Sequence, residues 1–138
     1  MAMRYVHTCL RVLDSDASER FYGVLGFESR GRLEFDTAYN IYLGLPGDGD
    51  VLELTVNRGR TEPYEIGTGY NHMAIAVDDL KRTLEELMLI GFEPEKEPYH
   101  PGDRHDLPLI AFVTDPDGYR IELIDGGEFR TPQDAPRL

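Results

Sequence analysis

The sequence predicts an α+β fold built from one module used twice, and three matches within the chain carry the prediction. "HTCLRVLD" (7–14) aligns with "HMAIAVDD" (72–79), setting His7 on His72, Val12 on Val77 and Asp14 on Asp79 at an offset of 65 (72 − 7). "LGFE" (25–28) falls on "IGFE" (90–93) at the same offset. "DGDVLEL" (48–54) matches "DGYRIEL" (117–123) at an offset of 69 (122 − 53), as if four residues had been inserted in the second half. Each half therefore reads as a strand, a helix and then further strands, as a duplicated unit should.

Local signals support each element in turn. "RYVHTCLRV" has strand character. Asp16 followed by Glu19 reads as a capping arrangement for a helix through "ASERFYGVL", which stops at Gly26, a residue suited to the left-handed C-terminal position. "NIYLGL" and "DVLELTV" are strands, with Asp48-Gly49 as the hairpin turn between them. "GRTEPYEIGTG" joins the halves. In the second half Asp79 caps "LKRTLEELMLI", where Leu80, Leu84, Leu87 and Ile90 keep helical spacing, and Gly91 ends it. Residues 95–108, "EKEPYHPGDRHDLP", form a long loop rich in turn residues, of the kind that is often functional or mobile. "LIAFVTD" and "YRIELID" close the module around an Asp117-Gly118 turn. The expected organisation is one structural domain: a first module over 1–60, a linker over 61–69, a second module over 70–126 and a flexible tail over 127–138.

Composition narrows the function classes. With 138 residues and 41% hydrophobic content the chain is long enough for a real core. It contains no apolar run near the roughly 20 residues of a membrane span, and no charged-then-apolar signal pattern at its start. A single cysteine excludes an internal disulfide, so a cytoplasmic location is expected. A net charge of −12 argues against nucleic acid as a partner. It also makes any basic residue in a pocket a candidate for holding an anionic ligand.

Two glutamates stand out. Glu53 lies between Leu52 and Leu54, and Glu122 between Ile121 and Leu123, each inside an otherwise apolar strand. A carboxylate heading for a core is costly unless something pairs with it. Because strand side chains alternate, His7, Cys9 and Arg11 share one face of their strand. Glu53 shares a face with Val51, Thr55 and Asn57, His72 with Ala74 and Ala76, and Glu122 with Arg120 and Ile124. Taken singly, a strand His is commonly a hydrogen-bonded structural residue and a strand Glu a solvent-facing one. Their joint recurrence at equivalent positions of a repeat points elsewhere. Two imidazoles and two carboxylates, brought together by a pseudo-twofold relation, make a divalent metal site of His7, Glu53, His72 and Glu122.

At this point the chain resembles a known family. "HTCLRV", "FYGVLGF", "ELTVN", "GYNHMAIAV" and "AFVTDPDGYRIELI" are similar to glyoxalase I (lactoylglutathione lyase) of the vicinal oxygen chelate superfamily, over residues 4 to about 125. The resemblance implies two βαβββ modules forming cupped mixed sheets around a metal site, with His7, Glu53, His72 and Glu122 as ligands. It implies a homodimer with sites at the subunit interface, each site drawing its ligand pairs from one chain or from both. The implied activity isomerises the hemithioacetal of methylglyoxal and a low-molecular-weight thiol, usually glutathione, to the S-2-hydroxyacyl thioester through an enediolate, a route of methylglyoxal detoxification. Glu122 is the implied base, with Glu53 a ligand and second base. Two His and two Glu leave two waters in an octahedral shell, which suits Ni2+ or Co2+ and permits Mn2+; the likeness to the short bacterial form favours nickel over Zn2+.

The repeat is asymmetric where a substrate tail would need it. Arg11 lies four residues after His7 on the same face, roughly 13 Å along a strand, and Asn57 stands in the same relation to Glu53. Their repeat equivalents are Ala76 and Gly126, which cannot hold a carboxylate. Arg11 and Asn57 match family positions that bind the glutathione moiety; a surface salt bridge for Arg11 and a turn role for Asn57 are the alternatives. In the family a basic residue near the long loop helps hold the thiol's carboxylate, and Arg104 is the candidate. His100 and His105 are expected to face solvent, and Cys9 to be a small buried filler. The segment "ESRGRLEFDTAYN" is shorter, and the 95–108 loop longer, than in the short bacterial members, so another small thiol could replace glutathione. Competing readings are an acyl-CoA epimerase, which typically carries glutamine at the place of Glu53; an extradiol-type dioxygenase, which would leave Glu53 unexplained; and a non-catalytic drug-binding protein, which often lacks the four ligands.

Overall fold

The computed structural model describes residues 2–132; the part of the expected flexible tail from 133 onward lies outside them. Two similar βαβββ-like modules form two mixed sheets, within compact units of Met1–Ile66 and Gly67–Leu138.

In the first unit β1 (Thr8–Arg11) is followed by α1 (Ser15–Val24), β2 (Glu28–Glu34), β3 (Ala38–Gly44) and β4 (Leu52–Asn57). The sheet order is β1-β4-β3-β2. β1 runs parallel to β4, with Cys9 opposite Glu53 and Arg11 opposite Thr55. β3 runs antiparallel to β4, with Tyr42 opposite Glu53 and Asn40 opposite Thr55. Alternation sends Leu10, Ile41, Leu43, Leu52, Leu54 and Val56 to the buried face, and Phe21 and Tyr22 of α1 are fully buried with them. Full burial of such side chains contributes about 1.5–3 kcal/mol each.

The second unit repeats the plan with β5 (Met73–Val77), α2 (Leu80–Leu89), β6 (Ile110–Thr114) and β7 (Arg120–Asp125), in the sheet order β5-β7-β6. β5 is parallel to β7, with Ala74 opposite Glu122; β6 is antiparallel to it, with Phe112 opposite Glu122. Ile75, Val77, Leu84, Leu87, Ala111, Val113, Ile121 and Leu123 fill this core. The third antiparallel strand of the module is reduced to a single bridge between Tyr99 and Ile110.

Several sequence expectations need correction. Asp14, not Asp16, caps α1: it is extended (φ −128°, ψ 105°) and its carboxylate accepts from the backbone N–H groups of Asp16 and Ala17. Asp79 caps α2 as expected, accepting from Arg82, and the repeat had already aligned the two. Gly26 and Gly91 take φ of +98° and +94° after the helices, a conformation that favours glycine. The β3–β4 turn is not Asp48-Gly49: it spans Leu45–Asp48, closed by Asp48 N–H donating to Leu45 C=O at 2.9 Å, with Gly47 at φ +87°. β2 was not anticipated, because all seven of its residues are exposed and no apolar alternation marks it. It is an edge strand held by pairing with β3 through a bulge between Ser29 and Gly31. The 95–108 loop is tethered: Glu95 N–H donates to Phe112 C=O at 2.9 Å, and Tyr99 exchanges two backbone bonds with Ile110. Among the described residues no helix is long and apolar enough to cross a membrane.

Candidate metal centre

Each module sets one histidine just before its first strand and one glutamate on its last. In the first, His7 Nε2 lies 3.5 Å from Glu53 Oε2; in the second, His72 Nε2 lies 3.6 Å from Glu122 Oε1. The side chains are in similar surroundings: the carboxylates are 13% and 18% exposed, the imidazoles 32% and 31%. The glutamates do not enter the core. Alternation places them on the other face of the sheet, opposite the buried row of Leu52, Leu54 and Val56 or of Ile121 and Leu123.

The geometry and donor chemistry fit a shared ion. Both separations exceed an ordinary N–H···O bond of about 2.7–3.2 Å. They lie near the spacing of about 3.0–3.4 Å between two ligands that each bond one ion at about 2.1 Å. Imidazole nitrogen with carboxylate oxygen suits first-row divalent metals. Among the described residues no three His, Cys, Asp or Glu side chains group closely enough to hold an ion, so the donors come as pairs. Asn71 Oδ1 bonds His72 Nδ1, which fixes that ring and leaves Nε2 toward Glu122.

The surroundings of the two pairs differ. Burial acts to raise the Glu53 carboxyl, but hydrogen bonds from the Tyr42 hydroxyl and the Cys9 thiol, with His7 alongside, outweigh it and hold the group below its ordinary range. The bond to Glu53 raises the Tyr42 phenol in turn. Tyr42 also meets the His7 ring edge-on at 5.9 Å. Cys9 is exposed, correcting its expected role as a buried filler: Leu10 and Val12 take the core face, which turns Cys9 to the opposite one. The residues facing Glu122 across the sheet, Ala74 and Phe112, are apolar. Phe112 meets the His72 ring at 5.2 Å and clusters with Ile110, Ile124 and Tyr99. Arg120 lies over Phe112 at 3.5 Å, and its guanidinium fork is held by both Glu95 oxygens at 2.6 and 2.8 Å.

The expected tail-binding residues are distributed unevenly. Arg11 is exposed on the face of Cys9 and Glu53, opposite Thr55. Asn57 ends β4 on that face and donates to the Tyr64 hydroxyl at 2.9 Å. Arg104 pairs through two nitrogens with Asp106 in its own loop. His105 is exposed, whereas His100 is half-buried with Nδ1 2.8 Å from Leu107 C=O. Sequence reasoning missed Tyr42, Asn40 and Phe112, although alternation along "NIYLGL" and "LIAFVTD" placed them on the glutamates' face. Tyr64, from an irregular segment, left no such signal.

The profile of the Glyoxalase/Bleomycin resistance protein/Dioxygenase superfamily matches residues 4–123. A Vibrio parahaemolyticus protein named "Probable lactoylglutathione lyase" is 43% identical over 129 residues, covering 88% of this chain and 89% of that protein. Among solved structures, the trypanothione-dependent glyoxalase I of Leishmania major is 34% identical with a TM-score of 0.75, covering 91% of this chain and 88% of that one. A glyoxalase I mutant from Zea mays is 31% identical with a TM-score of 0.77; the match covers 90% of this chain and 47% of that one, so the chain spans about half its length.

Proposed function

Because the chain belongs to the glyoxalase I (lactoylglutathione lyase) family of the vicinal oxygen chelate superfamily, we propose that it isomerises the hemithioacetal of methylglyoxal and a small thiol to the S-2-hydroxyacyl thioester. The observation that carries this reading is the recurrence of a His–Glu pair, 3.5 and 3.6 Å across, at equivalent positions of the two modules. His7, Glu53, His72 and Glu122 would hold a divalent ion, with nickel preferred. The assembly proposed with it is a homodimer whose sites each draw one pair from each subunit. A bound divalent ion would stabilise the negative charge that develops on the substrate oxygens.

The chain's own residues then divide the work. Glu122 takes the proton from the carbon bearing sulfur and returns it to the adjacent carbon, while the hydroxyl proton passes from the first carbon's oxygen to the second's, so the first carbon ends as the thioester carbonyl and the second bears the hydroxyl. No atom is gained or lost. Two features favour Glu122 over Glu53 for this transfer: its sheet neighbours Ala74 and Phe112 carry no donor, and the fork of nearby Arg120 is already on Glu95. Glu53, held by Tyr42 and Cys9, serves as the steadier ligand. The apolar cluster of Ile110, Phe112 and Ile124 would exclude water beside the reacting carbons. Arg11 and Asn57 would receive the anionic tail of the thiol, with Arg104 as a further cation.

The test is formation of thioester by metal-loaded protein from hemithioacetals of methylglyoxal with glutathione and with other small thiols. Turnover with at least one adduct is expected. No thioester from any adduct with nickel, cobalt, manganese or zinc would overturn the reading.

A further inference from the structure

The two glutamates occupy equivalent places, yet the residues facing them across the sheets differ in kind. Tyr42 stands opposite Glu53 where Phe112 stands opposite Glu122, and Cys9 is beside Glu53 where Ala74 is beside Glu122. Tyr42 is itself braced. Thr55 Oγ1 donates to Asn40 Oδ1 at 2.8 Å, and Asn40 Nδ2 donates to the Tyr42 oxygen at 3.4 Å. The Cys9 sulfur lies 3.2 Å from Thr55 Oγ1. A run of side chains from β4 and β3 thus ends at the Tyr42 hydroxyl, and the register sets Tyr42 directly across from Glu53. With its oxygen accepting from Asn40, the phenol keeps its own proton available to the carboxylate across the sheet.

We propose that Tyr42, braced by Asn40 and Thr55, is a positioning residue that holds Glu53 in its metal-ligating orientation, a tether that Glu122 lacks. The proposal rests on the metal reading above and deepens it. Residues behind a metal ligand fix its rotamer, and their removal typically costs about 10–100-fold in metal affinity. Three side chains, Thr55, Asn40 and Tyr42, in one hydrogen-bonded run are more than a surface strand needs, because exposed polar groups are satisfied by water. The run supplies direction: it presents Glu53 toward His7. Opposite Glu122, neither the Phe112 ring nor the Ala74 methyl can do this, so that carboxylate is the freer of the two to leave its position and reach a proton.

The experiment measures dissociation constants for nickel and cobalt by chelator competition, together with the cobalt absorption spectrum, for the parent, Tyr42→Phe, Glu53→Gln and the double variant. The ring is kept in Tyr42→Phe, and a Thr55→Val variant removes the far end of the run without touching Tyr42. Tyr42→Phe is expected to weaken metal binding about 10-fold or more and to change the cobalt spectrum. Thr55→Val should shift both the same way by less. In the Glu53→Gln background Tyr42→Phe should add little, the coupling expected of two residues acting as one. Parent-like affinity and spectrum in Tyr42→Phe, or equal losses in both backgrounds, would overturn the positioning role while leaving the metal reading intact. A parent protein that binds none of these ions would sink the metal reading and the proposal with it.

Discussion

Asn57 donates its side-chain amide to the Tyr64 hydroxyl at 2.9 Å, joining the end of β4 to the segment between the modules. Tyr64 is itself covered by Arg60, whose guanidinium carbon lies 4.4 Å from the ring centre. Asn57 is thereby oriented before any ligand arrives. Tyr64→Phe should raise KM about 2–10-fold, the worth of one neutral hydrogen bond, with kcat little changed. Unchanged KM would show that Asn57 needs no such support.

Arg11→Ala should weaken binding of the thiol adduct by roughly 1.5–3 kcal/mol, the scale of a charge-assisted contact. Metal content should stay at the parent level, because Arg11 is opposite Thr55 rather than Glu53 in the register. Steady-state kinetics beside metal analysis checks both. Loss of metal, or a KM equal to that of the parent, would assign Arg11 a structural role.

Glu122→Gln keeps the size of the side chain and an oxygen for the metal but cannot accept a proton at neutral pH. Loss of a general base costs about 10²–10⁴ in rate. Glu53→Gln should cost less in kcat and more in metal affinity, given its donors from Tyr42 and Cys9. Equal losses of kcat would mean that both carboxylates share the transfer. A Glu122→Gln protein that retains metal and turns over near the parent rate would remove Glu122 as the base.

Stability should depend on the caps that the repeat shares. Asp14→Ala exposes the first N–H groups of α1 and should cost about 1 kcal/mol, roughly 3–5 °C in Tm. Asp79→Ala should cost less: Asp125, at the end of β7, still accepts from Leu80 N–H at 2.9 Å, so α2 keeps one of its two carboxylate caps. Thermal melts of both variants and of an Asp79→Ala/Asp125→Ala pair distinguish the cases, and an equal loss from the two single changes would refute the shared cap.

The Glu95 carboxyl is held below its ordinary value of 4.5, chiefly by hydrogen bonds from Arg120. A depressed carboxylate contributes stability that is complete above the ordinary value and is lost as pH falls through the folded one. Tm of the parent should therefore exceed that of Glu95→Gln at neutral pH, and the gap should close below pH 4.5. The gap should be small, since Glu95 is 43% exposed and solvent screens the pair. A gap that widens on acidification would contradict the assignment.

The duplication, the core faces and the recurrence of one His and one Glu per module are all legible in the residues alone. Period-two alternation assigns each strand residue to a face, and the repeat aligns His7 with His72 and Glu53 with Glu122 without knowledge of any contact. The same regularity made Asp79 legible as a cap, and Gly26 and Gly91 as helix ends. Where polarity is uniform, the pattern carries nothing: β2 is exposed along its length and exists because β3 offers it an edge to pair with. Tertiary structure alone decided which donors meet which acceptors. Register placed Tyr42 on Glu53 but Phe112 on Glu122, drew Arg120 to Glu95 across 25 residues of chain, and set Arg104 on Asp106. Those contacts are long-range or loop-borne, so neither spacing nor composition encodes them. They make two carboxylates of equal sequence rank physically unequal, because a hydrogen bond depends on what lies opposite in space.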